Sequence, residues 1–269
     1  MKTLQDIITH KRMEVDLRKS LYPIELLKKS NHFNSPTISL KTYLNRPDKS
    51  GIIAEFKKQS PSLGIINKYL SIEKISIGYM QAGASALSIL TDTTFFGGTS
   101  EELTTARKFN FCPILRKDFI IDPYQIIESK SIGADAILLI AAVLTKEMIQ
   151  SFTALAHSLD LEVVLELHHP GEIEKIDPTV DVIGVNNRDL TTMKIDIQQS
   201  ITMSKLLPKD CLKISESGIE SIENIQVLRS HGYKGFLIGS YFMKQPQPHL
   251  ACKAFIKQLT TQEKLTEQL

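Results

Sequence analysis

The chain has no tryptophan, only three cysteines and no long apolar run. Each shortage excludes something. Cys112, Cys211 and Cys252 are widely spaced and form no Cys-x-x-Cys pair. Their spacing offers neither a disulfide framework nor a thiolate metal site, and a reducing compartment suits them. No window approaches the roughly 18 apolar residues of a membrane span. Charges interrupt the amino-terminal stretch where an export signal needs an unbroken apolar segment. The expectation is a soluble, unexported, cytoplasmic protein that meets no membrane. Charge of one sign is lacking too: 32 basic residues stand against 30 acidic ones, a net +2. Nucleic acid is therefore not an expected partner. No Gly-x-Gly-x-x-Gly follows an apolar run, so a dinucleotide-binding fold lacks its fingerprint.

Hydrophobic residues make up 42% and charged residues 23% of 269, which suits a globular chain with a sizeable core. That length fits two small domains or one α/β barrel of about 250 residues.

Leu4, Ile7, Ile8 and Val15 form one stripe of an amphipathic helix over 3–19, with Lys11, Arg12, Asp16 and Lys19 elsewhere. Pro23 then opens a second short helix through Leu26 and Leu27. Residues 30–50 read as an irregular connection with a helical turn around Leu40 to Leu44.

From Gly51 short apolar runs alternate with amphipathic segments. The runs are Ile52 to Phe56, Ala86 to Leu90, Pro113 to Arg116, Ala136 to Ile140, Val163 to Glu166, Val182 to Val185, Leu212 to Ser215 and Gly235 to Ile238, eight in all. Helical segments are expected near 72–82, 100–109, 123–132, 146–159, 170–175, 197–206, 221–230 and 249–259. Gly83, Gly133 and Gly232 each close a helix just before a strand, as a left-handed C′ glycine does. Near-continuous apolar strands alternating with helices predict a parallel sheet, and eight units close into a (β/α)8 TIM barrel; a doubly wound open sheet is the alternative. The expected division is a helical extension over 1–50, a barrel over 51–260 and a tail over 261–269.

Polar groups collect at one end of these runs. At or just past the end of the first stand Glu55 and Lys57, of the third Lys117, of the fifth Glu166, of the sixth Asn186 and Arg188, of the seventh Glu216, Ser217 and Gly218, and of the eighth Gly239 and Ser240. In a barrel they would share one mouth, where barrel enzymes keep their chemistry. The small residues after the last two strands would let backbone N–H groups approach a phosphate. His168 and His169 are adjacent, point different ways and lack a third ligand at a useful spacing, so no metal is expected. The groups at hand suit acid–base chemistry and charge stabilisation on a phosphorylated small-molecule substrate.

With those residues in place, the chain resembles the indole-3-glycerol-phosphate synthase family. The resemblance rests on Ile53-Ala-Glu-Phe-Lys-Lys-Gln-Ser-Pro-Ser, Leu90-Thr-Asp with Phe95-Phe-Gly-Gly, Leu115-Arg-Lys-Asp-Phe, Gly133-Ala-Asp-Ala-Ile-Leu-Leu-Ile, Glu166-Leu-His, Ile183-Gly-Val-Asn-Asn-Arg-Asp-Leu, Ser215-Glu-Ser-Gly-Ile and Leu237-Ile-Gly-Ser, in family order. Thr99 and His169 depart from the pattern without replacing a residue of catalytic role. The resemblance implies ring closure of 1-(2-carboxyphenylamino)-1-deoxyribulose 5-phosphate to indole-3-glycerol phosphate, with no cofactor. It implies that Lys117 is a general acid, Glu166 a base, and Lys57 the cation for the substrate carboxylate with Glu55 beside it. Asn186, Glu216 and Ser217 complete the catalytic set it implies. Ser60, Phe119, Arg188, Gly218, Leu237, Gly239 and Ser240 are implied to bind substrate. It further implies a monomer that at most associates weakly with other tryptophan-pathway enzymes. A related phosphate barrel, a Schiff-base lyase using Lys57 or Lys117, and a non-catalytic binding subunit are the alternatives. The two lysines would depress each other's pKa while the neighbouring glutamates oppose this, a contest the sequence leaves open.

Overall fold

Thr3 starts the first helix by a reciprocal cap: its side chain accepts the Asp6 N–H, and the Asp6 carboxylate accepts the Thr3 N–H at 2.8 Å. The computed structural model describes residues 3–67 and 69–266. The first helix, α1, runs Leu4–Leu21; α2 (Ile24–Leu27) follows Pro23, and α3 (Leu40–Asn45) is capped by Ser39.

The strands follow as β1 (Ile52–Phe56), the short β2 (Gln59–Ser60) and β3 (Gly64–Ile65), β4 (Ala86–Leu90), β5 (Ile114–Lys117), β6 (Ala136–Ile140), β7 (Glu162–Leu167), β8 (Val182–Asn186), β9 (Lys213–Glu216) and β10 (Gly235–Ile238). All but β2 and β3 form a closed parallel barrel in the order β1-β10-β9-β8-β7-β6-β5-β4. This is the (β/α)8 TIM barrel expected from the sequence. The helices between are α4 (Ile72–Gln81), α5 (Thr93–Phe96), α6 (Ser100–Phe109), α7 (Pro123–Ile132), α8 (Lys146–Ser158), a 3-10 turn at Pro170–Lys175, α9 (Gln198–Ser204), α10 (Ile222–Ser230) and α11 (Ser240–Met243). The last helix, α12, is longer than its apolar pattern, running Pro248–Thr266. Residues 267–269 of the expected tail, like 1 and 2 of the extension, lie outside the described residues. Gly83, Gly133 and Gly232 have φ of +95°, +91° and +83°.

Three boundaries differ in a way that bears on function. Lys117, Asn186 and Glu216, read as lying just past their strands, are the last residues of β5, β8 and β9, with Lys117 in register with Leu90 and Asn186 with Glu216. Their runs read as ending one residue early because the final side chain is polar or charged. Ladder residues hold a side chain more firmly than loop residues do.

Strand alternation sends Ile53, Ala86, Leu115, Ala136, Leu138, Val164, Val182, Ile214 and Leu237 into one buried cluster. Leu40 and Leu44 of α3 belong to it, so α3 stoppers the barrel at the strand N-termini. Its position is pinned there by polar contacts: Ser39 Oγ donates to Glu162 at 2.5 Å, and Lys41 N–H to the same carboxylate at 2.8 Å.

One expectation for α1 is corrected. Lys11, placed off the apolar stripe, is 1% exposed and lies on the buried face with Ile7, Ile8 and Val15. Its spacing from Ile7 and Ile8 is helical, and only its charge argued otherwise. Asp92 at 2.8 Å, Asp118 at 2.9 Å and Glu14 at 2.9 Å neutralise it.

Candidate active site

At the C-terminal ends of the strands a cavity of about 320 Å³ opens, within the range of small-molecule sites. At its centre the Lys117 ammonium from β5 donates to Glu166 Oε2 of β7 at 2.7 Å and to Glu216 Oε2 of β9. The contest over the lysine is decided by these neighbours. Burial alone would depress Lys117, but the charges of Glu166, Glu216 and Glu55 outweigh it and hold the side chain firmly protonated.

Two carboxylates sharing one ammonium cannot be equally content ionised. Burial pushes both up. For Glu166, Lys117 and a hydrogen bond from His168 overcome that push and hold it well below the usual carboxylate range. Glu216 goes the other way: burial raises it to about 7, with Lys117 pulling down and the charge of Glu166 pushing up. Its Oε1 has no hydrogen-bond partner among the described residues.

Glu55, on β1, accepts from Lys57 at 2.5 Å. A Cβ on Gly239 would collide with that Glu55 carboxyl, so the residue after β10 is a glycine that leaves room for it. Beyond β9, Ser217 and Gly218 both adopt left-handed backbone, φ +70° and +74°. Ser217 is held there by the buried Asn187, whose Nδ2 donates to Ser217 O at 2.9 Å and Ser215 Oγ at 3.0 Å. Asn187 Oδ1 accepts from the N–H and Oγ of Ser200 at 3.1 and 2.7 Å, so every hydrogen-bonding position of the amide is filled.

Asn186 Oδ1 accepts the Arg188 N–H at 3.0 Å. Arg188 has no carboxylate at ion-pair distance among the described residues, and burial pushes its guanidinium down from its ordinary value. Ser60 sits in the β2–β3 hairpin. Gln59 Nε2 ties the hairpin to Thr94 O at 3.2 Å, and Lys58 pairs with Glu102.

Apolar side chains line the same cavity. Phe96 and Phe119 pack with ring centroids 6.0 Å apart, and Leu90, Leu138, Ile140 and Leu237 line it too. Leu4 and Ile7 of α1 reach the same cavity, so α1 lies at the mouth while α3 lies at the floor.

Comparison with known proteins agrees with this architecture and narrows it. Residues 4–255 match the family described as Indole-3-glycerol phosphate synthase. The chain belongs to that family. A relative of that name from Bacteroides thetaiotaomicron is 48% identical over 254 residues, covering 94% of this chain and 97% of the relative. One from Caldanaerobacter subterraneus subsp. tengcongensis is 40% identical over 258 residues, covering 95% and 98%. Among solved structures, tryptophan synthase subunit alpha from Legionella pneumophila superposes with a TM-score of 0.58 at 12% identity, covering 82% of this chain and 96% of that one. At that identity it shares the fold alone.

Every residue singled out from the sequence lines this cavity: Glu55, Lys57, Ser60, Lys117, Phe119, Glu166, Asn186, Arg188, Glu216, Ser217, Gly218, Leu237, Gly239 and Ser240. Sequence reasoning did not assign Phe96, Leu138, Gly184, Asn187 or a site role for His168. Phe96 and Asn187 stood inside quoted motifs. Gly184 became informative only through register: it lies beside Glu166, and a Cβ on it would come within 2.6 Å of Glu216 Oε1.

Proposed function

We propose that the chain is an indole-3-glycerol-phosphate synthase of tryptophan biosynthesis. It closes the ring of 1-(2-carboxyphenylamino)-1-deoxyribulose 5-phosphate, giving indole-3-glycerol phosphate, CO2 and water. The observation that carries this reading is the Lys117 ammonium fixed between Glu166 and Glu216 in a cavity that Phe96 and Phe119 also line.

The substrate's aryl ring lies against Phe96 and Phe119. Its phosphate meets the Ser217-Gly218 turn together with Gly239, Ser240 and Ser60, where small residues leave the backbone N–H groups accessible. Lys57 holds the ring carboxylate, and Asn186 and Arg188 orient the sugar chain. When the carboxylate-bearing ring carbon attacks the ribulose carbonyl, the oxygen gains a negative charge, and Lys117 donates the proton that makes it a hydroxyl. CO2 then leaves with its bond electrons returning to the ring, which regains aromaticity. The hydroxyl departs as water with a second proton from a lysine, while Glu166 takes the proton lost from the adjacent carbon. Glu166 is ionised and so can accept a proton, and Lys117 is protonated and so can donate one. The same protonation argues against a Schiff-base route, which needs a neutral amine.

The enzyme is read as monomeric and cytoplasmic; the named lining residues all come from one chain, and Cys112, Cys211 and Cys252 are free. Mixing purified chain with the substrate tests the reading. Indole fluorescence should grow against a background free of tryptophan, and no product at all would sink it.

A further inference from the structure

Glu166 has both oxygens occupied, and by different elements. Oε2 takes Lys117 at 2.7 Å, and Oε1 faces His168 Nε2 at 3.1 Å. His168 is 6% exposed and lines the cavity, whereas the side chain of His169 next to it is 63% exposed. The two rings, just past the end of β7, thus lie in opposite environments. The backbone of His168 is fastened on both sides. Its N–H donates to Glu172 of the 3-10 turn at 2.6 Å, and its carbonyl accepts from Gln199 Nε2 of α9. Gln199 also donates to Asn186 O at 2.9 Å, tying the histidine to the end of β8. A buried imidazole held by three elements and aimed at a single carboxylate is more than filler for a gap.

We propose that His168 is a positioning residue for Glu166, fixing its second oxygen and keeping the carboxylate ionised and ready to accept a proton from substrate. This rests on the base role given to Glu166 above. The charged groups facing the ring are Glu166 of β7, Glu172 of the 3-10 turn, Glu216 of β9 and Asp189 after β8, with Lys117 of β5 behind Glu166. Carboxylates dominate that set. Burial pulls the imidazole down, but the Glu166 hydrogen bond and these charges push it above its ordinary value. Nδ1 has no protein partner among the described residues, so Glu166 is the side chain that answers the ring's charge by a hydrogen bond.

Two variants separate positioning from packing. His168→Leu removes the donor; His168→Gln keeps an N–H near the Nε2 position and cannot titrate. His168→Leu should lower kcat about tenfold with KM little changed, the size expected for one hydrogen bond to a charged group. The acid limb of its kcat/KM profile should move up by about one pH unit, because Glu166 loses a neighbour that favours its charge. His168→Gln should recover most of kcat. Limbs at the wild-type pH in both variants, with the loss confined to thermal stability, would overturn the proposal. A substrate-free NMR titration of the His168 ring is the second measurement. Its pKa should fall in Glu166→Gln, and an unchanged value overturns the pairing whether or not the chain turns substrate over. Inactive wild-type protein would count against the enzymatic reading, and the titration would then decide the pairing alone.

Discussion

Asn187 Nδ2 donates to Ser217 O at 2.9 Å, so one buried amide holds the left-handed turn after β9 in place. Asn187→Ala would strip the turn of that support and leave Ser200 and the Ser217 carbonyl without their partner. The expected result is a raised KM with kcat less affected, because the turn serves binding, and a loss of stability of about 1–3 kcal/mol for the orphaned groups. Steady-state kinetics and a denaturant titration check both. A fall in kcat at unchanged KM would show that the turn does something other than bind.

Lys117→Ala should do the reverse, lowering kcat by about 10² or more, since general acid catalysis is typically worth 10²–10⁴. KM should change little. The substitution also leaves Glu166 and Glu216 facing each other without the cation, so kinetics should be read on protein shown to be folded by circular dichroism. If only KM responded, Lys117 would belong to binding.

Glu216 makes a prediction for stability against pH. Its carboxyl is ordinary at 4.5 when unfolded and rises to about 7 when folded. Between those values the folded chain holds a proton the unfolded chain has released, so the contribution of Glu216 to stability falls as pH rises through that window. Glu216→Gln has no such proton to lose. Its denaturation midpoint, compared with wild type, should therefore gain between pH 4.5 and about pH 7 and level off above. A difference independent of pH would mean that Glu216 titrates at its ordinary value.

Lys11→Met keeps the length of the buried side chain but removes its charge. Asp92 and Asp118 would be left buried without their cation, a change that typically costs about 3–5 kcal/mol. Thermal melting should register a large drop. Asp118 directly follows Lys117, and Asp92 caps the helix carrying Phe96 through bonds to the Phe95 and Phe96 N–H groups at 2.7 and 3.2 Å. Activity at permissive temperature should therefore fall as well, and an unaffected melting point would discount the buried network.

What was legible in the sequence follows from what each signal depends on. The barrel strands declared themselves because a strand buried on both faces is apolar throughout. The site residues did so because a charge at the end of such a run lies at the barrel mouth, half out of water, where it needs a partner or a substrate to answer it. Lys11 misled because its burial depends on Asp92 and Asp118, residues far along the chain. The hairpin at Gln59–Ser60 and Gly64–Ile65 is too short to show a period. His168 and Asn187 are polar residues in polar stretches, and their work is defined by what lies opposite: Glu166 for one, Ser217 for the other.

The amino-terminal segment touches both ends of the barrel, and this orders events during synthesis. Arg18 must wait for Glu128, 110 residues later, and Ser39 for Glu162, 123 residues later. Helices made before the barrel strands are thus among the last to find their seats. Until then they are an amphipathic strip without a home, and the newborn chain is open to chaperones and proteases for as long as translation takes to reach β7.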